Sequence, residues 1–326
     1  ENIEYEFENN EDLADKEGID INEDTIDKHQ IESKFKLTKK TRNLILVGCT
    51  IILLSSIYVG KTVSKYENKI FPGTLVYEQD ISNLEKEEVL SIVIDETKGR
   101  VPVYAGTGCI STKDTIRQSQ MAESLGADVL SIITPSFAAA SQNELYDHYK
   151  AVAEAVDMPI VLYNIPARTG NALAPATVAK LSKIPNIVGA KDSSGNFDNM
   201  LQYIEQTRDS KDFAVLSGND SLILWNLLAG GTGGIAGCAN VFPEVMASIY
   251  NYFAAGDLEN ARKAQDSIRS FRGCFKYGNP NTIVKTAVNL LGYPVGKCRA
   301  PFNQVPEEGI EALKKVLAEN HEKGMC

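Results

Sequence analysis

A regular alternation of short apolar strands with amphipathic helices, from about residue 98 onward, most constrains the fold of this chain. The strands recur roughly every twenty to thirty residues and are apolar on both faces. Between them lie sequence signals for helix starts, such as the capping box formed by Ser141 and Glu144 and the proline at position 175. Such a repeat predicts an α/β protein with a parallel sheet, either a barrel or a doubly wound sheet.

Two observations favour the barrel. The chain has no Gly-x-Gly-x-x-Gly run opening a helix after a first strand, which the dinucleotide-binding sheet requires. Polar side chains also follow successive strands, and in a barrel all strand ends meet at one mouth, where the active site lies. A flavodoxin-like binding domain is the disfavoured alternative. These polar residues are Thr107, Thr134, Tyr163, Asn164, Arg168, Lys191, Ser217, Asn219, Asp220 and Asn240.

Lys191 is the candidate reactive residue, because it ends the apolar strand NIVGAK at 186–191 and precedes the small polar turn DSSG. A lysine at a strand end points into the pocket that the rim of the sheet forms. Burial there favours the neutral amine, which is the nucleophile for a Schiff base with a keto acid. The alternative is a lysine that extends over the surface with its ammonium in water.

Six further runs occur in a fixed order: GRVPVYAGTG at 99–108, GAD at 126–128 followed by Thr134-Pro135, LYNIPARTG at 162–170, GAKDSSG at 189–195, LSGND at 216–220 and GGTGGIA at 230–236. With these runs, residues 98–326 resemble the dihydrodipicolinate synthase and N-acetylneuraminate lyase family of Schiff-base aldolases. The resemblance implies a (β/α)8 TIM barrel with additional C-terminal helices.

The resemblance also implies roles for five residues. Lys191 would form the imine with pyruvate, and Tyr163 would transfer the proton between imine and substrate oxygen. Arg168 would bind the carboxylate of the second substrate, an aldehyde, while Gly218 and Ile235 would shape the pyruvate pocket. The family implies a cytoplasmic homo-oligomer, a dimer or tetramer, without a cofactor. The three histidines of the chain are dispersed, which also argues against a metal site.

Two departures from the family pattern bear on function. The synthase pattern has two tyrosines after Thr-Pro, and the second supplies a hydroxyl to a proton relay, whereas this chain has Ser136 and Phe137. Phe137 thus keeps open an N-acetylneuraminate or 2-keto-3-deoxy sugar-acid aldolase as the alternative. Arg168, which sialic-acid lyases generally lack, favours the expected reaction, the condensation of pyruvate with an aldehyde as in 4-hydroxy-tetrahydrodipicolinate synthase.

The second departure is the absence of the family's Gly-Thr-Thr-Gly-Glu loop, which follows the second strand and anchors the pyruvate carboxylate. Only strands three to eight of the barrel are expected, so the barrel would be incomplete, with open edges that another chain or segment must close. Loss of activity by truncation is a corresponding expectation.

The first 83 residues have a different character. Residues 1–43 form an acidic tail that is expected to be disordered, and its first thirty residues hold twelve acids and two lysines, which account for the whole net charge of −10. The remainder is neutral, which argues against nucleic-acid binding. The seventeen-residue run LILVGCTIILLSSIYVG at 44–60 predicts a transmembrane helix, with a buried core helix as the alternative.

Residues 61–83 are assigned as a linker, and residues 66–88 resemble the membrane-proximal segment of VanW-type cell-wall proteins. Residues 84–326 are assigned to the incomplete barrel and its C-terminal helices. The chain as a whole is thus predicted to be a single-pass membrane protein. Two further hypotheses follow: an inert, membrane-anchored envelope protein, and two unrelated genes joined near residues 80–90.

Overall fold

Six strands form one parallel sheet in which neighbours along the chain are also neighbours in space. The computed structural model describes residues 85–322 together with the backbone of a two-residue antiparallel pair, β1 (Leu75–Val76) and β2 (Gln79–Asp80). The strands of the sheet are β3 (Tyr104–Gly106), β4 (Val129–Ile133), β5 (Ile160–Asn164), β6 (Ile187–Asp192), β7 (Ala214–Ser217) and β8 (Gly233–Gly234). Every neighbouring pair is parallel, so all strand ends that carry the candidate residues lie on the same rim.

Helices connect the strands and cover the outer face of the sheet. Ser111 caps the helix after β3 through its side chain, and Gly126 ends that helix in the left-handed conformation with φ 85°. The predicted capping box of Ser141 and Glu144 is present. The helices in this part are α1 (Lys86–Thr97), α2 (Thr112–Leu125), α3 (Gln142–Ala153), α4 (Pro166–Thr169), α5 (Pro175–Leu181), α6 (Phe197–Thr207) and α7 (Ile223–Leu228).

The helices after β8 pack around a second apolar core, distinct from the core between the sheet and its helices. Phe242 and Phe271 are fully buried there, and their rings meet edge to face at 5.2 Å. These helices are α8 (Pro243–Ala254), α9 (Leu258–Ser267), α10 (Arg269–Gly273), α11 (Pro280–Leu290) and α12 (Glu307–Glu322).

Two elements are short. The strand β8 has only two residues, and a 3-10 helix at Gly237–Asn240, which buries Cys238, follows it closely. The helical region from Leu258 to Gly273 is divided after Ser267 into α9 and α10. The break lets both Ile268 and Phe271 reach the second core, where each is fully buried.

The prediction of a single-pass membrane protein is corrected. Within the part of the chain that the structure describes, no helix is both long and apolar enough to cross a bilayer. The run 44–60, on which that prediction rested, lies outside the described residues, as do the acidic tail 1–43 and most of the linker 61–83. The membrane assignment and the envelope-protein hypothesis built on it are not carried further.

His148 in α3 makes the free energy of unfolding depend on pH. Its Nδ1 lies 2.9 Å from Thr112 Oγ1, whereas its buried Nε2 has no hydrogen-bond partner among the described residues. Burial lowers the pKa of His148. Because the unfolded chain then binds a proton more readily than the folded one, the stability that neutral His148 provides is complete above about pH 6.5. It is lost as the pH falls from there through the folded-state pKa.

We therefore expect the free energy of unfolding, measured by urea titration, to fall between pH 7.5 and 5 more steeply in the wild type than in His148→Gln. The slopes of this free energy against pH differ by at most about 1.4 kcal/mol per pH unit, the value for one proton. Leu201→Gln in α6, a surface change that adds no titratable group, serves as the control and should retain the wild-type slope. Equal slopes for wild type and His148→Gln would contradict the assignment.

Candidate active site

Lys191 and Tyr163 lie side by side on neighbouring strands of the sheet. Their Cα atoms are direct partners in the register of β5 and β6, so both side chains point from the same level of the rim. Lys191 Nζ lies 3.8 Å from the centroid of the Tyr163 ring, and both side chains are half-buried. This distance is within the range of a cation–π contact. The structure thus brings together the two residues predicted to carry the chemistry.

The turn after Lys191 is held by Asp192, a residue that the sequence analysis did not single out. Its buried carboxylate accepts hydrogen bonds from the Ser194 amide at 2.6 Å and from the side chain of Asn199 in α6. The Asp192 carbonyl oxygen accepts a bond from the Gly218 amide at 2.7 Å. The end of β6 is therefore fixed to both α6 and β7, which orients the strand-end lysine. The local sequence carried no signal for this role, because the partners of Asp192 lie in later elements of the chain.

Gly218 lies just after β7, against the side chain of Lys191, and Ile235 directly follows the neighbouring strand β8. A Cβ atom at Gly218 would stand 1.9 Å from Ser193 Oγ and 2.8 Å from Lys191 Cε, so this position has no room for a side chain. The Ile235 amide donates to the Ser217 carbonyl at 2.9 Å, which places the isoleucine beside the end of β7. The space next to the lysine methylenes thus depends on the missing side chain of Gly218.

Gly218→Ala is expected to slow any reaction at Lys191 by about tenfold or more, equivalent to about 1.4 kcal/mol. The new methyl group must displace Ser193 and the end of the Lys191 side chain, because contacts below 3 Å are not tolerated. The measurement is the rate of Schiff-base formation with a keto acid. Gly273→Ala is the matched control, since a Cβ there meets nothing within 4 Å. An unchanged rate in Gly218→Ala would contradict the steric argument.

Arg168 occupies the short helix α4 directly after β5, and its side chain is exposed. Pro166 begins this helix, and Gly170 ends it with φ 79°, a left-handed conformation that favours glycine. Arg168 is therefore presented from the same rim as Lys191 and Tyr163. This placement agrees with a role in binding an anionic group.

Several predicted polar strand ends serve the fold rather than the pocket. The Thr134 hydroxyl oxygen lies 2.8 Å from Thr169 Oγ1 and 3.0 Å from the Asn171 carbonyl oxygen, and all three residues are buried. Buried Thr107 pairs with Ser119 at 2.9 Å. At these two positions the hydroxyl is therefore used by neighbouring residues on the same rim.

No reactive pocket surrounds three other residues near the strand ends, which are Asp220, Asn240 and Phe137. Asp220 is buried in an ion pair with Arg272 at 2.6 Å, and Asn240 is exposed and bonds the Gly237 carbonyl. Phe137 is 97% exposed and has a positive φ of 82°. Its ring has no hydroxyl and contributes no proton relay to the Lys191 site.

The sequence and the fold of the chain are similar to those of one known family. The sequence profile described as "Dihydrodipicolinate synthetase family" matches residues 71–320. A 4-hydroxy-tetrahydrodipicolinate synthase of Methanospirillum hungatei is 40% identical over 239 residues, which cover 73% of this chain and 81% of that relative. A 4-hydroxy-tetrahydrodipicolinate synthase of Clostridium novyi is 36% identical over 252 residues, covering 77% and 84% of the two chains.

A solved dihydrodipicolinate synthase of Thermotoga maritima superposes with a TM-score of 0.70 at 32% identity, covering 73% of this chain and 81% of that one. The six-stranded sheet is therefore a curled, parallel part of a TIM-barrel fold. The family match begins at residue 71, inside the segment 66–88 and upstream of the proposed junction at 80–90. The VanW-like resemblance of that segment is thus unsupported. The chain belongs to the dihydrodipicolinate synthetase family.

Proposed function

We propose that this chain is a 4-hydroxy-tetrahydrodipicolinate synthase-like lyase, which joins pyruvate to an aldehyde through a Schiff base on Lys191. The observation that carries the proposal is the side-by-side placement of Lys191 and Tyr163, with Nζ 3.8 Å from the ring centroid, at the rim of the sheet. The 40% identity to a protein of that name supports the reaction class.

The first step forms a carbon–nitrogen double bond between Lys191 Nζ and the keto carbon of pyruvate, and the keto oxygen leaves as water. Loss of a proton from the pyruvate methyl group converts the imine into an enamine. The enamine carbon then attacks the aldehyde carbon, whose oxygen takes up a proton. Water finally cleaves the imine, which releases the product and regenerates the free lysine.

Tyr163 is the candidate for the proton transfers, because its register position beside Lys191 keeps the phenol next to the nitrogen that gains and loses protons. Exposed Arg168 is the candidate for binding a carboxylate on the incoming aldehyde, since a guanidinium forms paired hydrogen bonds with carboxylates. Gly218 and Ile235 would form the wall beside the pyruvate methyl group. These assignments rest on the geometry and on the family resemblance together.

The experiment that tests the proposed reaction is reductive trapping. The protein is incubated with pyruvate and borohydride, digested, and analysed by mass spectrometry. We expect one reduced pyruvate adduct, located on Lys191, and faster consumption of pyruvate when an aldehyde with a carboxylate is added. A folded protein that gains no adduct at saturating pyruvate would reject the proposal.

Phe137 favours a second candidate, a sugar-acid aldolase that uses the same Schiff base. The side chain at this position has no hydroxyl, so a proton relay through it is not available for the synthase reaction. Assays with 2-keto-3-deoxy sugar acids and with N-acetylneuraminate distinguish the two, because cleavage of either at a rate above that of condensation would assign the second function.

We also expect a homodimer or homotetramer, which light scattering after size-exclusion chromatography will measure.

A further inference from the structure

The residues that directly follow Tyr163 and Lys191 form a second pair on the opposite face of the sheet. Asn164 and Asp192 are direct partners in the register of β5 and β6, one position beyond the two site residues. Because consecutive strand residues point to opposite faces, these two side chains lie away from Tyr163 and Lys191. They are only 2% and 1% exposed. A buried amide and a buried carboxylate each require hydrogen-bond partners.

Two residues on one face of α6 hold this second pair, one directly and one through the chain after α4. Asn199 and Tyr203 are four positions apart, so their side chains lie one above the other on the helix. The Asn199 side-chain amide donates a hydrogen bond to the Asp192 carboxylate. The phenol of fully buried Tyr203 donates to the Leu173 carbonyl at 2.5 Å, and the Leu173 amide donates to Asn164 Oδ1 at 3.0 Å.

Two further contacts close these hydrogen bonds into a loop. The Ser193 amide donates to the Asn164 carbonyl at 2.8 Å, which joins the chain after Lys191 to the end of β5. Burial raises the pKa of the Tyr203 phenol, and a hydrogen bond with Asn199 lowers it by less, so the phenol keeps its proton and remains a donor. The closed set, here called the strand-end network, consists of Asn164, Leu173, Asp192, Ser193, Asn199 and Tyr203.

We propose that Tyr203 is a positioning residue for the pair of Lys191 and Tyr163. It acts through Asn199 on the end of β6 and through Leu173 on the end of β5. Because Tyr203 is fully buried behind the sheet, it contacts neither substrate. The inference rests on the proposed function of the pair. The separation of the phenol from the imine nitrogen affects the rate, since a misplacement of about 1 Å can slow an enzymatic step about a hundredfold.

Tyr149 in α3 offers a matched control for the loss of the hydroxyl. Its phenol is also fully buried and donates to a strand carbonyl, that of Ile132, at 3.0 Å. Removal of either hydroxyl should lower the free energy of unfolding by a similar amount, because each leaves one buried carbonyl without its donor. Only Tyr203→Phe removes a hydrogen bond of the strand-end network.

The test compares Tyr203→Phe with Tyr149→Phe in the full 326-residue chain. In Tyr203→Phe we expect kcat for the condensation of pyruvate with the aldehyde to fall about tenfold, while KM for pyruvate changes by less than about twofold. The reason for this split is that the groups that contact the keto acid are unchanged and only their relative position is lost. Tyr149→Phe should keep both constants at the wild-type values.

Hydrogen exchange gives a second measurement that does not depend on the reaction. The amides of Leu173, Ser193 and Ser194 donate to Asn164 or to Asp192. They should exchange at least about tenfold faster in Tyr203→Phe than in Tyr149→Phe, because the network opens locally. A wild type that gains no adduct with pyruvate would reject the proposed function, and the exchange of these amides would then decide the role of Tyr203 alone.

Asn199→Ala replaces Tyr203→Phe if the latter does not fold. It removes the donor to Asp192 and should lower kcat and speed exchange at the Ser194 amide in the same direction. Its control is Gln202→Ala, because Gln202 lies on the same helix and its side chain bonds only the exposed side of Asp198 at 2.8 Å.

Three results would overturn the proposal. The first is a kcat for condensation in Tyr203→Phe, or in the replacement variant, that equals the kcat of its control. The second is wild-type hydrogen exchange at the network amides in the folded variant. The third is an effect confined to KM, which would place the change in substrate binding and not in the separation of Lys191 and Tyr163.

Discussion

Lys191→Ala is expected to abolish the reduced pyruvate adduct and to lower the condensation rate by at least about a thousandfold, or about 4 kcal/mol. The reason is chemical, because the imine nitrogen is supplied by this side chain and no water molecule can replace it as a covalent nucleophile. The structure places this amine at the rim of the sheet, with Nζ 3.8 Å from the centroid of the Tyr163 ring. Trapping with borohydride and a steady-state assay with pyruvate and aldehyde measure the two effects.

The control for this experiment is Lys150→Ala in α3. Lys150 is exposed and paired with Glu154 at 3.7 Å on the surface, so its loss should leave both adduct and rate unchanged. Thermal melts of all variants exclude unfolding as the cause of an effect. A Lys191→Ala protein that still gains an adduct, located on another lysine, would transfer the catalytic assignment to that residue.

The local parts of this fold could be predicted from the sequence, because they depend on neighbouring residues. The capping box at Ser141 was predicted as it occurs, since its hydrogen bonds join residues only three positions apart. The strand-end position of Lys191 was predicted for the same reason. The parallel order of six strands followed from the helix between each pair.

The surroundings of the candidate site could be predicted only in part, because its hydrogen-bond partners are distant in sequence. Thr134 follows a strand, as predicted, but its hydroxyl is used by Thr169 and Asn171, more than thirty residues away. Asp192 was overlooked because nothing in its local sequence tells that Asn199 and the Gly218 amide converge on it. A polar residue at a strand end is therefore a candidate for the pocket or for the loops that support it.

Asp220 is the clearest example of a strand-end residue that supports the fold. One carboxylate oxygen lies 2.6 Å from Arg272 Nη1, and the other accepts from the Cys238 amide at 3.2 Å. Gln265 donates to the Asp220 carbonyl at 2.8 Å and accepts from the Leu224 amide at 2.9 Å. The loop after β7 is thereby bound to α9, to α10 and to the turn after β8, which joins the sheet to the C-terminal helices.

Arg272→Met is accordingly expected to lower the free energy of unfolding by about 3 kcal/mol or more. The substitution leaves the Asp220 carboxylate, whose side chain is 7% exposed, without its cationic partner, and an unpaired buried charge costs more than the ion pair contributes. Urea unfolding at pH 7.5 measures the loss. The double variant Asp220→Asn with Arg272→Met should recover part of it, because the amide carries no charge. A loss below about 1 kcal/mol in Arg272→Met, or a double variant no more stable than the single one, would show that the buried charge is not the cause.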